Sequence, residues 1–383
     1  MRICYIAHLG DLSGANRSLV DLVCAVRNLG VDVFVITPKK GELSRKLDEL
    51  KIENLCIYSG SWLGDLKKEK KFKKLAKIVI NLFAEYRFYS FFKNNKFNFD
   101  LIHYNSFIYG VGAKSLLKLN IPYVWHIREF PEETFGLTFY NRKKTYELVS
   151  KAEKIMAISG AIYNHFSLQF DKKKIKLIYN GLKVNNNKTV LKRKSSNDKI
   201  SCLLVGAIAE DKGQYEAVRA ISFLVNSGEV ANIVLHIVGN IIDVQYFSEI
   251  KKYIEDNQLD EYVIFHGYHT DVSTFRELCS IALICSKMEA FGRVTVEAML
   301  ARELVIGSNT GGTIEIINDM ETGLIYHQGD YISLANRIKY AILNENEMDE
   351  IVERAFERAE KSFSIERTAR EVIEQYEIIR RKE

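Results

Sequence analysis

Residues 282–297 read ALICSKMEAFGRVTVE, and this stretch decides the fold of the second half of the chain. Its apolar start, Ala282–Cys285, predicts a buried strand, and Arg293–Ala301 predicts a helix. The loop between them ends in Phe291 and Gly292, at a helix N-terminus, where free N–H groups and the positive end of the helix dipole favour a phosphate. A strand, a short loop and a helix in this order are typical of an open parallel α/β sheet.

Two glutamates frame this loop and the start of the helix. Glu289 lies in the loop, and Glu297 follows about one turn into the helix. The spacing suits a nucleotide-sugar, with one acid for each sugar and the diphosphate at Gly292 between them. Gly292 also lacks a side chain that would hold a ligand away. The alternative is two surface glutamates, because a pair at this spacing is common.

The same alternation of strands and helices extends outward from this stretch. Ser201–Val205 predicts a strand, and the glycine turn after it leads into a helix that begins near Lys212. Near the start of the chain, Arg2–Ala7 and Val31–Thr37 predict two strands around an amphipathic helix that ends at Gly30. Apolar runs predict further strands at 101–103, 123–126, 155–158, 176–178, 233–238, 263–265 and 304–307, and helices at 215–225, 246–257, 272–279, 331–344 and 365–380. Continuous apolar strands between helices indicate parallel sheets that are covered on both faces.

The composition excludes several classes of protein. The chain has 383 residues, which suggests two domains. Its 54 basic and 49 acidic side chains give a net charge of +5, too small to indicate a nucleic-acid binder. The six cysteines form no C-x-x-C pair and are expected to be small buried thiols. No run reaches the ~18 apolar residues of a membrane span, and no signal-peptide core is visible, so a cytoplasmic protein is expected.

One segment, Lys67–Phe99, departs from this rhythm. Residues 67–77 hold seven lysines and one glutamate, and apolar residues from Phe72 to Tyr86 recur at helical spacing. The lysines project from the opposite face of that helix. Such a helix is able to lie in a membrane interface, attracted to anionic lipid. The alternative is an ordinary domain helix with a solvated lysine face.

The stretch around Glu289 resembles a known family. Glu289-Ala290-Phe291-Gly292 with Glu297, preceded by a strand and followed by GGTIE at 311–315, is similar to glycosyltransferase family 4. Similar runs lie at 178–181, 205–213, 319–325 and 363–364, so the resemblance covers most of the chain. It implies retaining enzymes of the GT-B fold, an α/β architecture in which two Rossmann-like domains carry parallel sheets that face each other across a cleft.

The composition and the resemblance together predict the domain boundaries. Residues 1–183 are expected to form a Rossmann-like domain on the acceptor side, and residues 200–364 the Rossmann-like domain that binds the nucleotide-sugar. The polar, aperiodic segment 184–199 is the predicted linker. The resemblance implies that the final helix, within 365–383, crosses back to the N-terminal domain.

The resemblance also implies a donor site. Glu289, Lys212 and His126 are the expected catalytic residues, with Glu289 acting as an electrostatic element that binds the sugar. Many relatives carry an arginine where this chain has Ala207, so Arg293 is expected to supply a cation beside the phosphates. The residues expected to bind the donor are Gly14, Ala15, Gly206, Lys212, Phe291, Gly292, Arg293 and Glu297.

Four further polar residues lie near predicted strand ends or helix starts. His126 matches the family's active-site histidine and ends an apolar strand, although a lone histidine is more often structural. Asn105, Arg128 and Glu129 are expected to contact the acceptor. An ion pair between elements would explain Arg128 and Glu129 almost as well.

These features predict a retaining glycosyltransferase that moves a hexosyl or N-acetylhexosaminyl group from a nucleotide diphosphate-sugar to a hydroxyl acceptor. The acceptor is expected to be a glycan or lipid-linked glycan of cell-surface polysaccharide assembly, met at the inner face of the cell membrane. No cofactor is expected, and UDP is favoured over GDP in the donor. The sequence has no Asp-x-Asp pair suited to a divalent metal, so lysine, arginine and helix dipoles are expected to neutralise the diphosphate.

Two alternatives stay open at this point. A nucleotide-sugar epimerase of the same architecture would release its product without any acceptor. A non-catalytic partner subunit would bind the donor without turnover. A nicotinamide dehydrogenase is less well supported, because neither glycine-containing loop reads G-x-G-x-x-G.

Overall fold

The computed structural model of the chain describes residues 1–64, 71–94, 98–184, 199–228, 230 and 232–381. Most of the predicted linker, and residues 65–70 and 95–97 in and beside the basic segment, lie outside the described residues. The chain forms two compact units. Unit 1 is Met1–Lys183 with Ile365–Glu383, and unit 2 is Val184–Ser364.

The strands have the following bounds. Unit 1 contains β1 (Arg2–Ile6), β2 (Asp32–Thr37), β3 (Glu53–Cys56), β4 (Leu63–Gly64), β5 (Leu101–Tyr104), β6 (Tyr123–Ile127), β7 (Thr138–Phe139), β8 (Lys154–Ala157) and β9 (Ile175–Leu177). Unit 2 contains β10 (Ile200–Val205), β11 (Ile233–Val238), β12 (Val263–Gly267), β13 (Ile281–Ile284), β14 (Leu304–Ser308) and β15 (Leu324–Tyr326).

The helices alternate with these strands. Unit 1 contains α1 (Gly14–Asn28), α2 (Glu42–Glu49), α3 (Lys71–Lys93), α4 (Ala113–Lys118), α5 (Pro131–Phe135), α6 (Arg142–Ser150) and α7 (Gly160–Ser167). Unit 2 contains α8 (Gln214–Asn226), α9 (Val244–Asp256), α10 (Ser273–Leu278), α11 (Arg293–Leu300), α12 (Thr313–Ile316), α13 (Tyr331–Leu343) and α14 (Glu345–Phe363). The last helix, α15 (Ile365–Arg380), belongs to unit 1.

The sheet of unit 1 is parallel and has the order β3-β2-β1-β5-β6-β8-β9. Its central strands are buried along almost their whole length, which is why their sequences are continuous apolar runs. β4 and β7 form a separate antiparallel pair.

Helix α15 completes the core of unit 1. Its residues Val372 and Tyr376 are buried in one apolar cluster with Leu22 and Val26 of α1. The Tyr376 hydroxyl also bonds to Nδ1 of His103 on β5 at 2.5 Å. The end of the chain is therefore built into the N-terminal unit by both apolar packing and a buried hydrogen bond.

The sheet of unit 2 is parallel throughout and has the order β12-β11-β10-β13-β14-β15. Helix α8 packs against α13, and α11 packs against α14. The predicted α/β class with a parallel sheet in each half is confirmed. The predicted elements leave out β15 and α14, although α14 buries Met348, Ile351, Val352, Ala355, Ala359 and Phe363 at helical spacing.

Candidate functional site

The strand order of unit 2 places two loops side by side. β10 lies between β11 and β13, so the chain fills the sheet from β10 toward one edge and then from β13 toward the other. At such a reversal the chain continues from the two central strands toward opposite edges of the sheet. Ligands of open α/β sheets bind in the crevice between the two loops that follow these strands. The two loops are residues 206–213 and 285–292. They contain most of the site residues that the sequence predicts for this unit.

Gly213 brings the two loops into contact. Its φ is +71°, and a Cβ at this position would lie 2.1 Å from the carbonyl oxygen of Cys285. Beside it, the backbone N–H of Lys287 donates to the carbonyl oxygen of Asp211 at 2.8 Å. Because the left-handed φ and the close approach both exclude a side chain, only glycine fits at this position.

Replacing Gly213 with alanine is expected to lower the free energy of unfolding by about 1–3 kcal/mol, because a Cβ forces the loops apart and strains the backbone. Gly206→Ala is the matched control, since a Cβ there would meet only Lys212 Cγ, at 4.0 Å. Urea unfolding of both variants checks the prediction. Equal stability of the two variants would contradict the contact between the loops.

Lys212 and Glu289 form an ion pair across the two loops. Lys212 Nζ lies 2.8 Å from Glu289 Oε1, and the Ser286 hydroxyl donates to the same oxygen at 2.7 Å. Burial opposes the charged form of Lys212, yet Glu289 and Asp211 outweigh it and raise the Lys212 pKa above its ordinary value. The pair therefore places a fixed ammonium group beside a fixed carboxylate at the strand reversal.

The backbone of the 285–292 loop is held by the segment after β14. The Gly312 N–H donates to the Glu289 carbonyl oxygen at 2.8 Å, and the Ser308 hydroxyl donates to the Ser286 carbonyl oxygen at 2.8 Å. A Cβ at Gly312 would lie 2.2 Å from the Phe291 carbonyl oxygen. The glycine pair 311–312 thus has a packing reason, and Glu289 stands on a loop with little freedom to move.

Helix α11 begins directly after this loop. Gly292 is its N-cap residue, with a φ of +106°, and no side chain caps the helix. The Phe291 side chain is buried against Phe363, so only the backbone of Phe291 is available to a ligand. In the first turn, the buried Thr295 hydroxyl has no hydrogen-bond partner among the described residues. Free N–H groups at a helix N-terminus favour an anion.

Glu297 lies at the centre of a chain of charges. Its Oε1 is 3.6 Å from Nη2 of Arg293, and its Oε2 is 3.3 Å from Nη2 of Arg276. The other arm of Arg276 binds the carboxylate of Glu303, which is only 1% exposed. Burial raises the Glu303 pKa to about 7, although Arg276 opposes the shift. The predicted site residues Arg293 and Glu297 are therefore paired with each other and anchored to a buried acid.

Arg276 and Glu303 are the part of this site that sequence reasoning missed. Arg276 lies on α10, in a segment correctly predicted to be helical, and Glu303 directly precedes β14. Nothing in residue type distinguishes a buried charge from a solvated one at such positions. Their roles become visible only in the folded chain, where Arg276 and Glu303 form a buried ion pair.

A pocket of about 440 Å³ also opens on unit 2. It is lined by the first turns of α8, α9 and α13, and it shares Glu210, Gly213 and Lys287 with the two loops but neither Lys212 nor Glu289. Glu216 in its wall accepts from the Gly329 N–H at 2.7 Å, and burial raises the Glu216 pKa to about 7. This pocket lies beside the predicted site residues and does not contain the chemistry assigned to them.

Unit 1 has the same reversal, between β1 and β5. Helix α1 begins at Gly14, and Ser13 before it makes no side-chain cap. The preceding loop is held by Asn16, whose amide donates to the carbonyl oxygens of Leu9 and Asp11 at 3.1 and 2.8 Å. The first loop therefore presents a helix N-terminus without a side-chain cap, and the roles of Gly14 and Ala15 in donor binding stay predictions.

Arg128 follows β6 and joins two asparagines. Its Nε donates to Asn105 Oδ1 at 2.8 Å, and its Nη1 donates to Asn180 Oδ1 at 2.9 Å. Asn105 in turn donates to the carbonyl oxygen of Ala15 at 3.0 Å. Arg128 therefore connects the end of β6 to the start of α1, and Asn105 has a structural role in the same network.

His126 and Glu129 differ from their sequence-based descriptions. β6 continues to Ile127, so His126 lies within the strand, has no exposed surface and is held neutral because burial lowers its pKa. Its Nε2 is buried without a hydrogen-bond partner among the described residues, and its contact with a donor sugar stays a prediction. Glu129 accepts from the Ser106 hydroxyl and the Phe107 N–H, both at 2.6 Å. Oε1 of Glu129 therefore holds the loop after β5.

Metal binding and membrane spanning are the last two features of the described residues. No group of three or more histidine, cysteine, aspartate or glutamate side chains is arranged to hold a metal ion within the described ranges. Among the helices of the described part of the chain, none combines the length and apolar character needed to cross a bilayer.

Two family models match consecutive parts of the chain. The model described as Glycosyltransferase Family 4 matches residues 12–186, and the model described as Glycosyl transferases group 1 matches residues 185–358. Together the two models match residues 12–358.

Curated proteins and solved structures agree with this match. The capsular polysaccharide biosynthesis glycosyltransferase CapM of Staphylococcus aureus is 26% identical over 56% of this chain and 53% of its own length. An uncharacterized glycosyltransferase of Methanocaldococcus jannaschii is 27% identical over 73% of this chain and 75% of its own. The crystal structure of Anabaena HepE in complex with UDP-glucose covers 99% of this chain and 100% of that chain, with a TM-score of 0.79 and 21% identity. The likeness to this structure shows the predicted GT-B fold.

Proposed function

We propose that this chain, which belongs to glycosyltransferase family 4, moves a sugar from a UDP-sugar to a hydroxyl group of a glycan or lipid-linked glycan, with retention at the anomeric carbon. The observation that carries the proposal is the Lys212–Glu289 ion pair at the strand reversal of unit 2. Glu289 lies in the loop that leads directly into the N-terminus of α11. A cation and free N–H groups suit the diphosphate, and a carboxylate suits the hydroxyl groups of the sugar.

In the proposed reaction, the bond between the anomeric carbon and the β-phosphate oxygen breaks, and the acceptor oxygen bonds to the same face of that carbon. The departing phosphate oxygen takes the proton of the acceptor hydroxyl. Lys212, Arg293 and the N–H groups of α11 stabilise the negative charge that develops on the diphosphate. Because these groups provide the positive charge, we expect a reaction that needs no divalent metal, and Glu289 binds the sugar without forming a covalent bond to it.

The nucleotide is proposed to be UDP, since HepE, which shares the fold, was solved with UDP-glucose. The base is expected near 265–268, where the chain leaves β12 at the same edge of the sheet as the two central loops. The acceptor is proposed to belong to cell-surface polysaccharide, because CapM is named for capsular polysaccharide biosynthesis. The reaction would then take place in the cytoplasm at the inner face of the membrane.

Two measurements on the full chain test the proposal. A thermal-shift screen of UDP-, GDP- and ADP-sugars should show stabilisation by a UDP-sugar, because a ligand that binds only the folded state raises its apparent stability. NMR of the stabilising donor, with and without envelope glycolipids as acceptors, should show acceptor-dependent transfer with retained anomeric configuration. An isomerised sugar without acceptor would identify an epimerase, and binding without any transfer would identify a non-catalytic partner.

Replacing Arg293 with alanine is expected to raise the Kd for the UDP-sugar by the loss of one charge-assisted hydrogen bond, about 1.5–3 kcal/mol. Arg293 is largely buried, so its guanidinium is held near the N-terminus of α11 beside Glu297. Adding Ala207→Arg to this variant should recover part of the loss, because that position precedes Lys212 in the facing loop. Isothermal titration calorimetry with the donor measures both effects.

Arg302→Ala is the matched control for Arg293→Ala. Arg302 is similarly buried and lies just beyond the other end of the same helix, where it pairs with Glu353 at 2.8 Å. Its removal should leave donor affinity unchanged. Unaltered affinity in Arg293→Ala, with folding intact, would leave Lys212 as the side-chain cation of the proposed site.

A further inference from the structure

Helix α3 exposes an apolar face. Phe72 is 88% exposed, Phe83 69% and Tyr86 71%. Leu75, Ile78, Val79 and Leu82 are exposed on the same side of the helix, since all seven positions fall within one arc at helical spacing. Single exposed apolar residues are ordinary on a protein surface, but a continuous stripe marks a surface that meets a partner.

The opposite face of α3 holds the helix on unit 1. Phe88 and Phe92 are buried there. The carboxylate of Glu85 accepts from the backbone N–H groups of Gly112 and Ser115, both at 2.8 Å. The helix is therefore fixed in its orientation, and the apolar face cannot turn inward without breaking these contacts.

Lys74 and Lys77 do not belong to a solvated face of the helix. Lys77 donates to the Tyr140 hydroxyl at 3.0 Å, and Lys74 Nζ lies 5.6 Å from the centre of the Tyr140 ring. These two lysines lie toward the protein, and the apolar residues lie toward the solvent. The alternative of a solvated lysine face therefore does not describe Lys74 and Lys77.

The charge on α3 identifies the partner of the stripe. Among the described residues of this helix, Lys73, Arg87 and Lys93 are exposed. Two copies of this surface would bring like charges together, which opposes self-association through α3. An anionic surface is attracted by the same charges. At 1.5 Å per residue, the stripe from Phe72 to Tyr86 is about 21 Å long, which suits a helix lying along a bilayer surface.

A pocket extends this surface at its C-terminal end. It has a volume of about 400 Å³ and lies between β3 and α3, with Leu55 and Ile57 on one side and Tyr86 and Phe91 on the other. Arg87 also lines it. Apolar surface with a cation at its margin therefore continues beyond the exposed stripe.

We infer that α3 lies in the interface of an anionic phospholipid bilayer, with its exposed apolar face among the acyl chains and the basic residues around it at the headgroups. The inference rests on α3 and not on sugar transfer, so the two proposals fail separately. It gives the enzyme a way to meet an acceptor that is itself anchored in lipid.

Co-sedimentation of the full chain with vesicles tests the inference. The chain should pellet with vesicles of equal parts phosphatidylglycerol and phosphatidylcholine, and far less with phosphatidylcholine alone. Raising NaCl from about 0.1 M to about 1 M shortens the screening length from ~10 to ~3 Å and should release most of the protein. Leu82→Ser with Phe83→Ser should weaken binding about tenfold or more, because two inserted side chains are lost.

Matched controls on unit 1 distinguish binding through the stripe from nonspecific binding of other exposed residues to vesicles. Leu168 is 85% exposed just after α7, and Lys172 is exposed in the loop that follows. Leu168→Ser should bind vesicles like the wild type, and Lys73→Ala should weaken binding where Lys172→Ala does not. Far-UV circular dichroism and the melting temperature verify that every variant is folded.

Three outcomes would overturn the inference. The first is no binding to the anionic vesicles, and the second is equal loss in the Leu82/Phe83 and Leu168 variants. The third is a dimer in sedimentation velocity that the Leu82/Phe83 variant abolishes while vesicles are not bound. The last outcome would show that a second copy of the chain covers the stripe.

Discussion

Replacing Lys212 with methionine is expected to lower kcat/KM for the UDP-sugar by a factor of about 10²–10³, the size observed when one preorganised donor to a developing negative charge is removed. Methionine keeps the length and apolar character of the lysine stem and removes only the ammonium group. In the folded chain that group is fixed 2.8 Å from Glu289 Oε1, with a raised pKa, so it is charged at every pH at which the enzyme is assayed. Steady-state kinetics with the identified donor and acceptor measure the loss.

Lys287→Met provides the matched control in the neighbouring loop. Lys287 pairs with Glu210 at 2.5 Å and is about half exposed, so solvent screens its charge and its removal should change kcat/KM by no more than a few-fold. Equal losses in the two variants would mean that only the overall electrostatic potential of unit 2 affects the reaction.

Glu289→Gln should lower kcat more than it raises KM, because Glu289 is placed at the reacting sugar. An unchanged kcat in that variant would remove Glu289 from the proposed reaction.

The sequence was sufficient to predict the architecture around Lys212 and Glu289. Apolar runs of strand length and the glycines between strands and helices are local signals, and they gave the parallel sheets and the two loops at the strand reversal. The resemblance to family 4 placed Lys212 and Glu289 in those loops. Their direct ion pair was not predicted, because the register between β10 and β13 is decided by the packed sheet.

The errors concern which face of an element is buried. The spacing of apolar residues predicts that residues 72–86 form a helix, but it cannot say that the apolar face is left exposed. The apolar pattern predicts a strand that ends at His126, whereas β6 ends one residue later, at Ile127, and His126 is buried within it. Arg276 and Glu303 are ordinary charged residues in the sequence and become a buried pair only after folding. Burial depends on how the whole chain folds, and the type of a single residue predicts little about whether it is buried.

Replacing Arg276 with leucine is expected to lower the free energy of unfolding by about 3–5 kcal/mol at pH 8, because removing one partner of a buried ion pair leaves an uncompensated charge. Glu303 is 1% exposed, and its Oε1 has no hydrogen-bond partner among the described residues. The carboxylate depends on Arg276 for its compensation. Urea unfolding at fixed pH measures the loss.

The loss should shrink as the pH is lowered. Burial raises the pKa of Glu303 from its ordinary 4.5 to about 7, so this group binds its proton more tightly in the folded than in the unfolded chain. Its contribution to stability is therefore fully present below pH 4.5 and is lost as the pH rises through about 7. Removing Arg276 raises the Glu303 pKa further, because the attraction of Arg276 no longer opposes burial. Arg276→Leu should therefore approach wild-type stability toward pH 5, and a constant difference across this range would contradict the role of Glu303.

A double variant separates stability from the positioning of Glu297. Replacing both Arg276 and Glu303 with leucine removes the buried charges together and should restore most of the stability at pH 8, as buried ion pairs exchanged for apolar residues often do. The contact of Arg276 with Glu297, at 3.3 Å, is absent in the same variant. Glu297 then keeps only Arg293, and donor affinity should stay reduced about tenfold by the loss of one charged contact. Calorimetry with the UDP-sugar on the restabilised protein decides the point: wild-type affinity there would show that Arg276 supports the fold alone, whereas a persistent loss identifies it as the residue that positions Glu297.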